Sequence, residues 1–585
     1  MVKNYYFVFL SVNAKYSYIC CLKFLKECDK MNKIKTFLEK SEQYAVFLIC
    51  GIMAFIMGFN LTESLFNTTK IQYDPGFLEY VSYHHDNLFI NIIYVVCIFL
   101  ILTLVIPYLE KIPGKIQTAI LVLFVIVFGS VYIFSAQCIP ASDSMKVTNA
   151  AVMAANGDYS FMSDRYFSNC NYQLGFVFFC ELFFDIFGKN PDTFISLQIF
   201  NVVLVALSYV GILLTVKTLY PGKRIFTTAV LTLFFCVQPL FFSVFTYGVI
   251  PGLTCIVYAF FFEIKLFEEN DKKKSVLKRI IFAALSCIFI SIACMVKLNY
   301  LIALIAMLIC AFIKMISKKK FAALAYIVVT ALCALNITNL VVKSYESRSN
   351  IKLDDGVPFV AYLDMGMNYP NELFCCCNAA GWFDPDYIEY NHAKNNFISE
   401  KTAEASKKSI KKRLSFFIND TSAANDFYFE KITSQWNEPT YACIWLSQIR
   451  EKYSYPKEPA LSLAYNKQNQ TEQFMNIYQL MIYFGTFTGI ILCFRKKDIF
   501  SVLYLLTALG GFLFHLLFEA KSQYILPYFV ILTGFSAVGT EYLCRKTALV
   551  LSRKVKIKIH IFENKQTNNT VSEDDNNDDK NKIAI

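Results

Sequence analysis

Twelve long apolar runs decide what kind of fold this chain can adopt. Each has about twenty mostly apolar residues, the length that a helix needs to cross the hydrocarbon core of a membrane. A thirteenth, weaker run covers residues 172–188 and carries Glu181 and Asp185. The twelve runs cover residues 44–62, 88–109, 117–139, 194–216, 225–243, 249–266, 280–296, 299–316, 321–342, 476–494, 499–517 and 523–543.

The sequence therefore predicts an all-α polytopic membrane protein with about 12–13 transmembrane helices. Hydrophobic residues make up 56% of the 585 residues and charged residues only 17%, far from the balance of a soluble domain. The net charge of +11 would fit nucleic-acid binding. The basic residues, however, stand in short clusters between apolar runs, as they do in cytoplasmic loops. We therefore expect a lipid bilayer as the partner and no nucleic acid.

The lysine and arginine residues also predict the orientation, because cytoplasmic loops carry an excess of them. This places five segments outside: the acidic connector 63–86, the loop around Asp143, the connector 297–299, the segment 343–475 and the turn 519–521. The predicted organisation is a cytoplasmic leader at 1–43, a transmembrane module at 44–342 with its first outer loop at 140–171, an extracytoplasmic loop domain at 343–475, C-terminal transmembrane helices at 476–543, and a cytoplasmic, largely disordered tail at 544–585.

One stretch leaves an alternative open. The Asp143 loop is predicted outside and the basic connector 217–224 inside, so an odd number of crossings must join them. Two apolar runs lie between these segments, at 172–188 and 194–216. Either 172–188 lies along or dips into the membrane, which we favour because it is short and acidic, or the connector breaks the charge rule.

Asp143 is the first candidate functional residue. It follows a predicted span within the polar stretch 139–173, and a carboxylate at the rim of a membrane bundle is costly unless it is used. A structural alternative has about equal weight. Ser142 or Asp143 would cap a helix that starts at Ser144, and Gly157 would end it. The two roles can coexist.

Other polar residues that are out of place near membrane spans fall on the same predicted side. A structural explanation is possible for each of them. The Lys297 side chain would extend to the nearest membrane interface, and Glu519 and Lys521 would form a local ion pair at a helix end. Together the cations suit a phosphate, and a carboxylate suits the proton of an attacking hydroxyl. We expect an anionic, lipid-attached substrate. The candidate catalytic residues are Asp143 and Asp158, and the candidate substrate-binding residues are Tyr159, Gln173, Lys297, Asn299, His515, Glu519 and Lys521.

The cysteines and histidines show no metal-binding spacing, so no metal ligand is assigned. Many of the twenty cysteines lie inside apolar runs, where they behave as small hydrophobic residues. The run 375–377, in a polar region, leaves a disulfide open, with Cys443 farther along the chain. No cofactor is assigned, and a divalent cation stays an open alternative.

The first outer loop resembles that of a known enzyme family. Asp143, a helical pattern with Ala and Met, GDYS at 157–160 and YQLGFVFF at 172–179 resemble the first outer loop of GT-C superfamily membrane glycosyltransferases. The likeness is to the bacterial dolichyl-phosphate-mannose protein mannosyltransferase-like proteins, glycosyltransferase family 39. KITSQWNEPTY at 431–441 and FHLLFEAKSQYILPYF at 514–529 are also similar to stretches of this group. The resemblance covers about residues 140–540.

The resemblance implies a GT-C type fold and a site facing the outside of the cell membrane. Such enzymes move a sugar from a polyprenyl-phosphate carrier to a hydroxyl of a protein or glycan acceptor. It implies that Asp143 is the general base. The sequence departs from the commoner paired acid because Ser144 follows Asp143, so Asp158 is the candidate second carboxylate. Lys297 and Lys521 are the candidates for the carrier phosphate.

Two other functions remain as alternatives. A polytopic transporter or lipid-linked sugar flippase would also have many spans and charges near them. Against it, the sequence has no internal repeat and no pair of broken helices in matching positions. An inactive assembly protein of an envelope-polymer pathway would explain the missing second acid.

Overall fold

The computed structural model describes residues 40–74, 77–188, 194–268, 276–318, 321–369, 377–450, 452 and 454–574, with side chains as far as Ser552. Most of the predicted leader at 1–43 and the end of the predicted tail, 575–585, lie outside the described residues. One antiparallel hairpin, β1 (Asn67–Asp74) and β2 (Phe77–His85), follows the first helix. The helices are α1 (Lys40–Phe66), α2 (Leu88–Leu109), α3 (Gly114–Ala136), α4 (Ser142–Ala155), α5 (Arg165–Asn169), α6 (Leu174–Phe187), α7 (Phe194–Leu219), α8 (Lys223–Phe234), α9 (Gln238–Phe242), α10 (Val249–Phe267), α11 (Val276–Val296), α12 (Leu301–Lys318), α13 (Ala323–Ser349), α14 (Phe359–Met365), α15 (Pro385–Lys394), α16 (Ser399–Asn419), α17 (Thr421–Trp436), α18 (Cys443–Ile449), α19 (Gln468–Cys493), α20 (Leu503–Leu517) and α21 (Leu526–Asp574).

The predicted all-α polytopic class is confirmed. In the described part of the chain, ten helices are long and apolar enough to cross a membrane, fewer than the 12–13 predicted. Each coincides with one of the twelve long apolar runs. They are α1, α2, α3, α7, α10, α11, α12 with its preceding turn, α13, α19, and α20 with its preceding turn.

Ion pairs mark one end of the helix bundle. Lys314 lies 2.7 Å from a Glu42 oxygen and 3.1 Å from an Asp498 oxygen. Arg224 lies 3.7 Å from a Glu110 oxygen. We call this the basic end, because Lys278 and Arg279 in the first turn of α11, Lys318 at the end of α12 and the cluster 495–497 after α19 lie at helix termini here.

The structure corrects the predicted span at 225–243, which is broken in two. α8 has 12 residues, about 18 Å at 1.5 Å per residue, and that is short of the roughly 30 Å hydrocarbon core. Pro239, at the start of α9, has no N–H to continue a helix. The segment still crosses the bundle. It begins beside Arg224 at the basic end and reaches Gly248, where an added Cβ atom would lie 2.1 Å from the Val296 carbonyl oxygen.

Two other predicted segments differ from the expected spans. The run 523–543 is the first part of α21, which continues to Asp574 and into the segment predicted to be disordered. The weak run 172–188 becomes α6, which has 14 residues or about 21 Å. A helix of that length does not reach across the core. This favours the alternative in which 172–188 enters the membrane without crossing it.

The segment 343–475 packs into the main core instead of forming a detached unit. Trp436, Tyr441 and Trp445 belong to the same buried cluster as the spanning helices. The Glu438 carboxylate accepts hydrogen bonds from the Thr440 and Ala442 backbone N–H groups at 2.9 and 2.7 Å, which shapes the turn after α17. The polar segment therefore forms one end of the bundle.

Glycine allows α19 and α21 to cross closely. A Cβ atom added at Gly539 would lie 2.0 Å from the Gly485 carbonyl oxygen and 2.5 Å from the Gly489 nitrogen. In a membrane, apolar burial contributes little to helix association, so helices depend on close packing. Small residues at the crossing allow that close packing.

Replacing Gly539 by alanine should therefore destabilise the protein. The added methyl group meets backbone atoms that cannot turn aside, and overpacking of this kind costs about 1–3 kcal/mol. Gly51→Ala is the matched control, because an added Cβ atom there has no neighbour within 4 Å. Thermal unfolding in detergent measures both. Equal melting temperatures for the two variants would contradict the close crossing.

Candidate functional site at the end opposite the basic end

Asp143 lies in the first turn of α4, and its carboxylate is not used to cap the helix. The N-cap residue is Ala141, and no side chain makes a capping hydrogen bond. The capping alternative for Ser142 or Asp143 is therefore wrong. Gly157 does follow the helix end with a φ of 79°, as predicted. Ser142 has a φ of 52°, an unusual conformation for a residue other than glycine.

Four cations interact electrostatically with the half-buried Asp143 carboxylate. Burial raises its pKa, and the charges of Lys521, Lys146, Lys297 and Arg450 oppose the rise. Among the described residues, none donates a hydrogen bond to this carboxylate. Asp143 is therefore held in a positive environment with its oxygens free for a ligand.

Two contacts fix the chain on both sides of Asp143. An Arg450 Nη1 donates to the Ala141 carbonyl oxygen at 2.6 Å, while the guanidinium lies over the Phe245 ring. The buried Ser144 hydroxyl lies 2.8 Å from the Thr246 hydroxyl oxygen. Ser144 thus anchors α4 to the segment before α10.

Lys297 lies between two tyrosine rings close to Asp143. Its Nζ is 4.7 Å from the centroid of Tyr247 and 5.0 Å from that of Tyr524. Burial lowers the pKa of Lys297 to about 8, although Glu519 and Asp143 act in the opposite direction. Gln173 donates to the Tyr247 hydroxyl. Gln173 therefore positions the Tyr247 ring, which lies against Lys297.

The turn after α20 brings a second acid and a second cation to the same place. Lys521 Nζ lies 2.7 Å from an oxygen of Glu79 in β2. Burial acts to lower the Lys521 pKa, but Glu79 more than offsets it and the pKa is raised. The Glu519 carbonyl oxygen lies 2.9 Å from His515 Nδ1, whose ring stacks on Tyr524.

The Glu519 carboxylate is incompletely satisfied. Its Oε2 atom is buried and has no hydrogen-bond partner in the described structure. Burial raises the pKa of Glu519 to about 7, against the charges of Lys297, Lys521 and Lys431. Lys297 therefore interacts with Asp143 and Glu519 together.

Lys431 in α17 fastens this turn to the polar segment. Its Nζ donates to the Phe518 carbonyl oxygen at 2.7 Å and to the Gly366 carbonyl oxygen. Burial lowers the pKa of Lys431 to about 7. The Ala520 N–H also donates to the Gly381 carbonyl oxygen at 2.9 Å. Residues of the polar segment, and not only α20 and α21, thus fix the position of the turn 518–520.

Sequence reasoning missed four charged members of the site: Lys146, beside Asp143 in α4, and Glu79, Lys431 and Arg450. Lys431 and Arg450 each follow a stretch that contains apolar and aromatic residues, and a cation buried in such surroundings needs polar partners. Glu79 shares the inward face of β2 with Val81, and both are buried. The partners of Glu79, Lys431 and Arg450 lie in distant segments, so spacing alone did not identify them.

Three predicted residues do not join the Asp143 cluster through their side chains. Asp158 is exposed, and its Oδ1 accepts from the Ser160 N–H at 2.9 Å in a local turn. Tyr159 accepts from Arg348, which pairs with Glu181 at 2.6 Å in a separate network. Asn299 is half-buried two residues after Lys297, and its side chain makes no hydrogen bond within the described ranges.

Four of the five predicted charges, Asp143, Lys297, Glu519 and Lys521, therefore interact in one place, and cations outnumber carboxylates there. Such a site can bind an anionic group and accept a proton. In the part of the chain that the structure describes, no group of three His, Cys, Asp or Glu side chains is placed to hold a metal ion. The members are the basic residues Lys146, Lys297, Lys431, Arg450 and Lys521 and the acidic residues Glu79, Asp143 and Glu519.

Cys377 and Cys443 are both free thiols in buried positions. The other two cysteines of the run 375–377 lie outside the described residues. The disulfide left open from the sequence is thus not formed between Cys377 and Cys443.

A family model described as "Conserved hypothetical integral membrane protein" matches residues 84–540. This range includes every charged member of the site except Glu79. No curated protein and no solved structure matches the chain.

Glu519→Gln should change how stability depends on pH. The ordinary pKa is 4.5 and the folded value about 7, so the folded protein keeps a proton that the unfolded chain releases in this range. That stabilisation is complete below pH 4.5 and is lost as the pH rises through 7. The wild type should therefore lose melting temperature relative to the variant as the pH rises from 4.5 to 7.

Thermal unfolding in detergent across this range measures the effect. Lys297 and Lys431 are present in both proteins, so the difference between the two profiles is the informative quantity. Glu404→Gln, at an exposed position in α16, is the matched control. Parallel profiles for wild type and Glu519→Gln would show that this carboxyl is not the buried acid described here.

Proposed function

The chain belongs to this family of conserved hypothetical integral membrane proteins, and we propose that it is a GT-C type glycosyltransferase. It would transfer a sugar from a polyprenyl-phosphate carrier to a hydroxyl of a protein or glycan acceptor on the outer face of the cell membrane. The observation that carries the proposal is the half-buried Asp143 carboxylate, which accepts no hydrogen bond from the described residues and interacts electrostatically with four cations. The resemblance of residues 140–179 to GT-C first outer loops supports the same reaction.

Asp143 has the properties of a general base. Burial raises its pKa, which moves the carboxylate toward the range in which a base works near neutral pH. The acceptor hydroxyl gives its proton to an Asp143 oxygen as its own oxygen bonds to the anomeric carbon. The bond between that carbon and the phosphate oxygen breaks, and the electron pair leaves with the phosphate. No nucleotide is needed on the outer face.

The lysines have the properties of a phosphate-binding group. Lys297 and Lys521 both interact with Asp143, so a phosphate held between them lies close to the base. Charges fixed in place before the reaction stabilise a leaving group well, because they need no reorganisation. Lys297 is held by two aromatic rings and Lys521 by Glu79.

Glu519 replaces Asp158 in this proposal as the second carboxylate. Its Oε2 atom is buried and unpartnered, and it interacts with both lysines. Asp158 is exposed and committed to a turn. A second acid that reaches the site from α20 explains why Ser144 is tolerated after Asp143.

A transporter or lipid-linked sugar flippase is the second candidate, and one residue favours it. Glu263 in α10 is fully buried, and neither carboxylate oxygen has a hydrogen-bond partner among the described residues. Ionisable residues inside a membrane bundle often mark transport pathways. Sugar-transfer and uptake assays on the same reconstituted vesicles separate the two functions. Uptake without transfer would favour the transporter.

Asp143→Asn should abolish sugar transfer while the protein still folds. Asparagine keeps the size of the side chain but cannot take the acceptor proton, and loss of a general base costs about 10²–10⁴-fold in rate. The assay follows sugar transfer from a polyprenyl-phosphate donor in reconstituted vesicles. Asp355→Asn, an exposed aspartate of the polar segment, is the matched control. Near-normal transfer by Asp143→Asn would remove this residue from the mechanism.

Lys297→Met should lower kcat more than it raises KM. Methionine keeps the apolar stem between the tyrosine rings but loses the charge that stabilises the leaving phosphate. We expect a loss of roughly 10²–10³-fold, as for other electrostatic groups that act in the transition state. Lys408→Met, at an exposed position in α16, is the control. An effect confined to KM would assign Lys297 to substrate binding alone.

A further inference from the structure

An apolar groove opens near the basic end, far from the Asp143 site. It lies between the end of α10, the first half of α11 and the first third of α13, and its volume is about 900 Å³. This is within the range of cavities that bind drug-sized ligands. Its walls are mainly aliphatic and aromatic, with Ile280, Ala283, Ile288 and Val329 among them.

The course of α11 fixes where the groove lies. The helix begins at Val276, which lines the groove, and it ends at Val296, directly before Lys297 of the candidate site. The groove is thus near the opposite end of the bundle from Lys297. Phe267 lines it and packs against Phe500, two residues after Asp498 of the basic end. The excess of lysine and arginine predicts that this end faces the cytoplasm.

Among the described residues that line the groove, Arg279 is the one cation. Arg279 lines the groove and is exposed. Among the described residues, nothing forms a hydrogen bond or ion pair with its guanidinium. A guanidinium presents several N–H donors in a plane and matches the oxygens of a phosphate. An apolar groove with one free guanidinium at its mouth matches a molecule with an apolar tail and an anionic head.

Position limits the choice of that molecule. α10, α11 and α13 are candidate membrane spans, so the groove faces the acyl chains of the bilayer. Water binds poorly in an apolar groove, because it finds few hydrogen-bond partners there. Basic sites between membrane helices at the cytoplasmic side attract anionic lipid head groups.

We propose that this groove binds an anionic phospholipid of the adjoining leaflet. One acyl chain occupies the groove, and the head-group phosphate lies on Arg279. The site is separate from the proposed transferase site and does not depend on that function. A bound anionic phospholipid would thus be a structural component of the protein near the basic end.

Native mass spectrometry of the full chain tests the proposal. Protein reconstituted with equal amounts of phosphatidylglycerol and phosphatidylcholine should retain phosphatidylglycerol preferentially. Arg279→Gln should weaken this retention about fivefold to tenfold, as expected for one cation near a membrane surface. Arg495→Gln, an exposed arginine at the same end, is the matched control and should retain the lipid.

A second variant tests the tail. Ala283→Trp fills the groove and should reduce retention of the lipid while Arg279 stays in place. Leu335→Trp, at a position of α13 that is 57% exposed and outside the groove, is its control. Arg279→Gln changes an exposed side chain, so it remains informative if Ala283→Trp does not fold. Equal retention of both lipids by the wild type would overturn the proposal. So would unchanged retention in Arg279→Gln, or preferential retention of added polyprenyl phosphate.

Discussion

A buried charge in a protein interior costs several kcal/mol unless an opposite charge or polar group meets it, and this requirement organises one end of the bundle. Lys521 and Glu79 are 442 residues apart in the sequence and 2.7 Å apart in the structure. Removing either would leave the other buried without its ion-pair partner. The hairpin after α1 and the turn after α20 are therefore held together by their charges, and the candidate site forms where they meet.

The polar segment between α13 and α19 belongs to the same arrangement. Lys431 holds the backbone of the turn after α20, and the Tyr483 hydroxyl of α19 donates to the Trp436 carbonyl oxygen at 2.5 Å. Arg450, beyond α18, holds the residue two positions before Asp143. One segment thus fixes the chain next to both Asp143 and Glu519. This explains why a segment with so many polar residues has so many buried positions.

Much of the fold follows from the sequence, because a membrane crossing requires about twenty apolar residues and that length is visible. The break at Pro239 was visible too, but only contacts with neighbouring segments make a broken crossing tolerable. For the site, Lys297 and Lys521 were predicted because charges stand out beside apolar runs. Glu79 was missed because its partner lies far along the chain. Asp158 was chosen as part of GDYS, but the turn that it stabilises is local.

The two ends of the bundle differ in how completely their carboxylates are paired. Near the basic end, Lys314 holds Glu42 and Asp498, and Ser317 donates to Glu42, so these three charges satisfy one another, while Arg279 lies exposed. At the other end, the oxygens of Asp143 accept no hydrogen bond from the described residues, one oxygen of Glu519 is unpartnered, and cations outnumber carboxylates. Groups with perturbed pKa values that lack partners concentrate at functional sites, because a ligand completes them. A site with surplus positive charge is completed by an anion. Since packing and ion pairs already fix Lys297 and Lys521, the anion would find its partners in place.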